Sequence, residues 1–152
     1  KKGELITHHK DKAVLTFLKI DQLLEKDIPT VTPEMTLGEM VKVIATSERN
    51  IFPVVNNNNV LLGLVMMNDI RNIMFRPELY DKFTVNKFMV GAPAKIDINS
   101  SMEEVMDTFE NTKAWNLPVV DKEGVYKGIL SQSSVFNSYR EVLVEHYSDM
   151  DE

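Results

Sequence analysis

The chain has 152 residues, of which 43% are hydrophobic, and a formal net charge of −6 at pH 7. This size suits one compact domain or two small ones, and an acidic chain without a basic face is not expected to bind nucleic acid. The absence of cysteine excludes disulfides and thiol nucleophiles, and the longest apolar run, Val60–Met67, is too short for the roughly 20 residues that cross a bilayer.

The first fourteen residues, 1–14, are polar and charged, and we expect a linker or tail there. The chain starts with lysine instead of methionine, which predicts that it is a piece of a longer protein. His8 and His9 are adjacent, so their side chains point in different directions and lack the spacing of a metal site. No metal site is therefore expected.

A first repeat is predicted at 15–80 and begins with helix and turn signals. The apolar entry segment Ile20–Leu24 precedes Pro29–Pro33, which we expect to be extended because proline restricts itself and the residue before it. Thr36 and Glu39 have the spacing of a capping box, in which each side chain bonds the other residue's amide. An amphipathic helix is therefore expected to start at Thr36.

Two β-rich runs follow in the same repeat. Ile51–Val55 and Val60–Val65 are joined by Asn56–Asn59, whose residues tolerate the left-handed conformations of a tight turn. Asn68-Asp69 then predicts the start of a second helix over Ile70–Phe75.

The same order returns 65 residues later in a second repeat, predicted at 81–147, with a C-terminal tail at 148–152. Phe52–Val55 is matched by Leu117–Val120, and Gly63 is matched by Gly128. A fixed period with few identities indicates one structural unit used twice. The remaining predicted features of this repeat are the capping box Ser101–Glu104, the strands Leu117–Val120 and Val125–Leu130, the turn Asp121–Gly124, and a last helix opened by Ser133 or Ser134.

Each half therefore reads strand–helix–strand–strand–helix, an α/β (α+β) architecture. The chain has two φ-Pro-Val-Val strands, where φ stands for an apolar residue, two Gly-φ-φ-x-x-x-[Asp/Ser] steps from strand to helix, and capped helices. With these features it resembles a pair of CBS domains, the Bateman module, from about Leu18 to Tyr147. The resemblance implies two repeats packed about a pseudo-twofold axis. A narrower resemblance, to the cytosolic C-terminal region of bacterial ClC chloride channels and transporters, rests on Ala13–Thr16, Arg71–Tyr80, Ala114–Pro118 and Phe136–Leu143.

These resemblances imply a regulatory module that is not an enzyme and needs no cofactor. Its regulatory ligand would be ATP, ADP or AMP, and its partners would be a second copy and the membrane domain of the same parent chain. It would lie on the cytoplasmic side of the membrane. Two alternatives stay open, namely a purely structural dimerisation module without ligand and a CBS regulatory insert of a nucleotide-metabolism enzyme.

The nucleotide motif of the family, Gly-φ-x-[Ser/Thr]-x-x-Asp, is divided between the repeats. Asp69 is present in the first repeat, where Met66 stands at the hydroxyl position. Ser131 is present in the second repeat, where Ser134 stands at the Asp position. In the family the Asp binds the ribose hydroxyls, and each cleft takes residues from both repeats.

The resemblance therefore implies one better cleft and one weaker cleft. The better nucleotide site comprises Asp69, Lys95, Trp115 and Asn116, because a carboxylate makes charge-assisted bonds to hydroxyls and Lys95 attracts phosphate. The weaker cleft comprises Thr30, Asn50, Ile51, Ser131 and Ser134.

Each of these residues also has an alternative role without a ligand. Asp69 would favour a helix start by capping and by the helix dipole. Trp115 would pack beside a core strand, and Ser131 would bond the local backbone. Candidates for an interface between two modules lie on the second helices, where completing the core of the chain itself is the alternative: Ile70, Ile73, Met74, Val135, Phe136 and Tyr139.

Overall fold

The computed structural model describes Leu15 and residues 18–151, with side chains up to residue 148. The predicted linker 1–14 lies outside the described residues. In chain order the helices are α1 Ile20–Leu23, α2 Leu37–Ile44, α3 Met67–Ile70, α4 Met102–Thr112 and α5 Gln132–Asp151. The strands are β1 Ile51–Val55, β2 Leu61–Met66, β3 Ile96–Asp97, β4 Asn116–Val120 and β5 Tyr126–Ser131, and 3₁₀ turns form at Pro77–Leu79 and Val85–Lys87. The predicted mixed α and β fold with two repeats is confirmed.

The chain forms two compact units that are not the two halves of the sequence. Unit 1 consists of Lys1–Glu25, Pro93–Val119 and Lys127–Glu152, and unit 2 consists of Lys26–Ala92 and Val120–Tyr126. Each unit therefore contains parts of both repeats. The repeat boundaries at 80/81 and 147/148 describe the order along the chain and stay a prediction.

In unit 2, strands β1 and β2 pair antiparallel, with Phe52 opposite Val65 and a register shift between Val54 and Val55. Val31 joins them in a parallel bridge. Its amide donates to the Pro53 carbonyl at 3.0 Å, and its carbonyl accepts from the Val55 amide at 2.9 Å. The proline-flanked segment is thus extended, as the sequence predicts.

Both predicted capping boxes are present. The Thr36 hydroxyl accepts from the Glu39 amide at 3.1 Å, and the Glu39 carboxylate accepts from the Thr36 amide at 3.0 Å. Ser101 and Glu104 make the same pair of bonds at the start of α4. The hydrogen bonds from Thr36 hold the pKa of Glu39 below its usual 4.5. The capping box therefore stabilises helix α2 at pH values above 4.5, and this stabilisation is lost as the pH falls through the lowered pKa of Glu39.

Each unit takes one β-bridge residue from the start of the other repeat. In unit 2 the amides and carbonyls of Leu64 and Val90 exchange two hydrogen bonds of 2.8 Å. In unit 1, Ile129 and Glu25 exchange bonds of 3.0 and 2.8 Å. The two pairs are related by the 65-residue offset, because Glu25 corresponds to Val90 and Leu64 to Ile129. The duplication is therefore visible in the hydrogen bonding.

Two predicted helices differ from those observed. The helix predicted at Ile70–Phe75 is a single turn, α3, that ends at Ile70, and residues 71–75 form turns. The last helix begins at Gln132, ahead of Ser133 and Ser134. Ser131, the residue just before this helix, supplies the capping hydroxyl, since its Oγ accepts from the Ser134 amide at 3.1 Å.

Both units have apolar cores. In unit 1 the core is built on α4, whose buried side chains lie on one face, and is completed by strands and by the start of α5. Its buried members are Leu15, Leu18, Ile20, Ile96, Met102, Val105, Met106, Phe109, Leu117, Val119, Leu130, Val135 and Tyr139. The large buried side chains of unit 2 include Leu37, Met40, Ile44, Phe52, Leu64 and Ile70.

Candidate functional site

The candidate site is built on the step from strand to helix that occurs once in each unit. In unit 2 the first amide of α3, Met67 N, donates to the Asn50 carbonyl at 2.9 Å. In unit 1 the first amide of α5, Gln132 N, donates to the Trp115 carbonyl at 2.8 Å. In each unit, the carbonyl of the residue just ahead of the Pro-Val-Val strand thus accepts a hydrogen bond from the first amide of a helix.

In unit 1 the step is closed by two serine hydroxyls. Ser131 Oγ accepts from the Ser134 amide at 3.1 Å and lies 2.8 Å from Ser134 Oγ. This is the N-cap bond that serine favours, and it is the local hydroxyl–backbone bond that is the alternative to phosphate binding by Ser131. The half-buried pair is already engaged within unit 1.

In unit 2 the same position has no hydroxyl. Met66 precedes α3, and its side chain makes no capping bond. Asp69 lies in the first turn of α3, is exposed, and has no hydrogen-bond partner among the described residues. Asp69 does not act as a side-chain cap, so its carboxylate is available to a ligand. Its charge still suits the positive end of the helix.

Trp115 is a strongly exposed member of the predicted site. It is 76% exposed, in a bend just before β4. The alternative that it packs into the core is therefore not observed. Lys95 is exposed and Asn116 is half-buried. Lys95, Trp115 and Asn116 belong to unit 1 and Asp69 belongs to unit 2, so the better cleft stays a prediction.

The weaker cleft also takes residues from both units and stays a prediction. Asn50 is exposed, Thr30 is half-buried, and Ile51 is only 3% exposed. Ile51 therefore contributes its side chain to the core rather than to a ligand surface. Ser131 and Ser134 are bonded to each other, as described above.

The interface candidates fall into two groups. Ile70, Val135 and Tyr139 are at most 1% exposed, which matches the alternative that they complete the core. Ile73, Met74 and Phe136 are half-buried, so only these three retain surface for a partner. The homodimer stays a prediction.

Unit 1 also contains a cavity that the sequence reasoning did not find. It has a volume of about 650 Å³ and lies where the N-terminal part of the unit faces the start of α4. Its lining residues are Leu15, Leu18, Lys19, Ile20, Asp21, Ile98, Asn99, Ser100, Ser101, Met102 and Glu103.

Within Leu15 and 18–151, no three histidine, aspartate or glutamate side chains are grouped so that they could hold a metal ion. Across the same part of the chain, no helix combines the length and apolar character needed to cross a membrane.

The comparisons with known proteins give the family. The profile described as "CBS domain" matches twice, at residues 20–76 and 85–141, which is the 65-residue offset of the repeats. Among curated proteins, the inosine-5'-monophosphate dehydrogenase of Methanocaldococcus jannaschii is 31% identical over 113 residues, covering 74% of this chain and 22% of the relative. The chain thus spans about a fifth of the length of this relative.

Solved structures share the fold at low identity. The structure of CBSX2 in complex with AMP has a TM-score of 0.66 at 21% identity and covers 82% of this chain and 97% of that one. The CBS domain of a bacterial CNNM/CorC family Mg²⁺ transporter in complex with ATP has a TM-score of 0.70 at 15% identity, with 91% and 97% covered.

Proposed function

The chain belongs to the CBS domain family as a tandem pair, and on that premise we propose that it is a regulatory module that binds an adenine nucleotide and acts on a ClC-type chloride channel or transporter. The observation that carries the nucleotide part is the exposure of Asp69 and Trp115 at the two strand-to-helix steps. An unbonded carboxylate and an exposed indole suit a ribose and a base, respectively. The AMP and ATP bound by the two similar structures support this choice of ligand class.

Each proposed contact has a physical role. The Asp69 carboxylate accepts from the ribose hydroxyls in charge-assisted bonds. The Trp115 ring stacks on adenine, which requires the exposure it has. The exposed Lys95 ammonium attracts phosphate, and the half-buried Asn116 borders Trp115 at the start of β4.

Regulation would follow from population shift. A nucleotide changes the activity of an attached domain only through its different affinity for two arrangements of the module. The membrane domain of the same parent chain is the proposed partner, on the cytoplasmic side. The ClC-like strings Arg71–Tyr80 and Ala114–Pro118 support this part of the proposal.

Nucleotide binding is tested by thermal unfolding with ATP, ADP and AMP. At about 100 times its Kd, a ligand that binds only the folded state adds about 2.7 kcal/mol, which raises the Tm of a domain of this size by roughly 5–10 °C. We expect such a shift with at least one of the three. No shift with any of them, confirmed by calorimetric titration, would contradict the proposal and favour a purely structural module.

Two variants test the assignment of contacts. Asp69→Ala and Trp115→Leu should each remove most of the shift, and the double variant should lose little more, because both residues contact one ligand. Asp81→Ala and Phe75→Leu are the controls, since they alter an exposed carboxylate and an exposed aromatic ring in unit 2. An unchanged shift in Asp69→Ala would refute this assignment while leaving nucleotide binding itself intact.

A second candidate is the regulatory CBS insert of a nucleotide-metabolism enzyme. It is favoured by the inosine-5'-monophosphate dehydrogenases among the relatives, which match this chain only over about a fifth of their length. In either case the CBS pair does no chemistry itself.

The two candidates are separated on the complete polypeptide that carries this segment. For a ClC-type parent, we expect chloride flux in proteoliposomes that changes when ATP is added. In the Asp69→Ala variant, we expect the basal flux to stay and the response to ATP to be lost. Conversion of inosine monophosphate with NAD, without chloride flux, would instead establish the second candidate. The Asp81→Ala variant is again the control for the nucleotide response.

A further inference from the structure

The chain leaves unit 2 directly after a single β-bridge. The Val90 amide donates to the Leu64 carbonyl at 2.8 Å, and the Val90 carbonyl accepts from the Leu64 amide at 2.8 Å. The boundary between the units falls two residues later, between Ala92 and Pro93. Leu64 belongs to β2, which leads into α3 and Asp69. These two bonds, which we call the Leu64–Val90 clip, therefore join the step that carries Asp69 to the segment that leaves the unit.

The clip depends on close packing at one glycine. A Cβ added to Gly63 would lie 2.7 Å from the Val90 carbonyl oxygen and 2.6 Å from Met89 Cγ. Val90 approaches β2 this closely because position 63 has no side chain, and the half-buried Met89 covers the contact. Methionine is an adaptable cover, since its side chain is unbranched and has three rotatable bonds. Two hydrogen bonds and the cover by one flexible side chain thus hold the clip closed.

The residue after the clip has room to move. Gly91 is exposed, and a Cβ placed on it would meet no atom within 4 Å. Close packing therefore does not require a glycine at this position, as it does at Gly63. Glycine has the widest range of backbone conformations, and hinges are formed by a few loop residues that absorb a change of backbone angles. This position therefore suits a hinge.

The matching bridge in unit 1, between Glu25 and Ile129, lacks this freedom. Its bonds of 2.8 and 3.0 Å are similar in length to those of the clip. By the 65-residue register, however, the position of Gly91 is taken by Lys26. Two residues further on, the side chain of Ile28 is only 5% exposed. The chain beyond this bridge is therefore anchored by a buried side chain.

The helices that follow the two bridges differ in the same direction. Helix α3 has four residues, and no side chain caps it. Helix α5 has 20 residues, and at its start the Ser131 hydroxyl accepts from the Ser134 amide. A helix of one turn without a cap has little stability of its own. Unit 2 therefore has the weaker step, and that step carries the exposed Asp69.

We propose that the Leu64–Val90 clip is a regulatory switch, in which occupancy of Asp69 decides whether the segment before Pro93 is held on β2. A nucleotide bound by Asp69 orders α3 and the end of β2, which keeps the clip closed. Without the nucleotide the clip opens more often, and Val90 leaves β2 by rotation about Gly91. Because the nucleotide binds the closed state better, it shifts the population toward that state. This inference rests on the proposed nucleotide binding.

Hydrogen exchange of the full 152-residue chain without nucleotide tests the clip by itself. The Leu64 and Val90 amides should have protection factors at least roughly tenfold lower than those of Glu25 and Ile129, because a segment that opens locally exchanges without global unfolding. Equal protection of the two bridges would overturn the inference. This outcome is independent of whether a nucleotide binds.

The variant Gly91→Ala tests the hinge. Alanine fits the closed state without a clash and restricts the open state, so protection at Leu64 and Val90 should rise about two- to fivefold without nucleotide. The matched control is Asp27→Ala, at an exposed position just beyond the bridge in unit 1, which should leave the protection of both bridges unchanged. Unchanged protection of the clip in Gly91→Ala would overturn the inference.

The link to Asp69 is tested with whichever of ATP, ADP and AMP raises the Tm. A saturating concentration of that nucleotide should raise protection at Leu64 and Val90 at least roughly tenfold, because it binds the closed state. Asp69→Ala should lose this rise, whereas Asp81→Ala, which alters another exposed carboxylate of unit 2, should keep it. A nucleotide that raises the Tm but leaves the clip amides unchanged would overturn the inference and leave the proposed function intact. The absence of any Tm shift would contradict the proposed function, and the inference with it.

Discussion

Replacing Gly63 with alanine is expected to lower the free energy of unfolding by about 3 kcal/mol, at the upper end of the usual cost of overpacking. The new Cβ would lie 2.6 Å from Met89 Cγ and 2.7 Å from the Val90 carbonyl oxygen. The methionine side chain can rotate away, but the carbonyl is held by its 2.8 Å bond from the Leu64 amide. The backbone of the bridge must therefore shift. Urea unfolding measures the loss.

Two further glycines make this prediction specific. Gly128 has the matching position in unit 1, where a Cβ would lie 2.9 Å from the Glu25 carbonyl and φ is +153°, so Gly128→Ala should cost a similar amount. Gly91 has no atom within 4 Å of an added Cβ, and Gly91→Ala should change stability by less than about 1 kcal/mol, if anything upward. Equal losses of unfolding free energy in all three variants would show that the flexibility of the chain, rather than the close approach of neighbouring atoms to the added Cβ, determines the loss.

Replacing Phe109 with alanine is expected to cost about 3–5 kcal/mol, because it removes a buried aromatic side chain and leaves a cavity. Phe109 is 0% exposed and belongs to the core that surrounds α4. A loss of this size is a large part of the stability of an ordinary domain. The change in the urea midpoint at constant slope would measure it.

The matched control is Phe75→Ala, which makes the same substitution at a side chain that is 78% exposed. Its effect should stay within about 0.5 kcal/mol, as is usual at such surface positions. If the Phe109→Ala loss did not exceed that of Phe75→Ala, the assignment of Phe109 to a packed core would be wrong.

Much of the fold could be predicted from local sequence signals. The Pro-Val-Val strands, the capping boxes and the turn ending at Gly124, whose φ is +83°, depend on residues close together in the chain. The exchange of Glu25 and Val90 between repeats could not be predicted in this way, because it depends on pairing over distances of 26 to 104 residues. The short α3 was missed because apolar residues after Ile70 continue a helical pattern through turns.

The candidate site was predicted in part. The division of the motif between Asp69 and Ser131 is written in the sequence, and the structure adds which of the two side chains is engaged. Ser131 bonds Ser134, whereas Asp69 has no partner among the described residues. The exposure of Trp115 could not be predicted, since a tryptophan ahead of a core strand suits a packed position equally well.

The exchange of bridge residues between the repeats has a consequence for the origin of the chain. A single repeat contains both bridge positions, but in this chain each repeat pairs the middle of its second strand with the residue of the other repeat. Two one-repeat polypeptides would therefore have to exchange these residues to make the same bridges. Such a pair would be a domain-swapped dimer. Joining the two copies end to end makes the same exchange independent of protein concentration, so gene duplication here would have replaced an assembly equilibrium with a covalent connection.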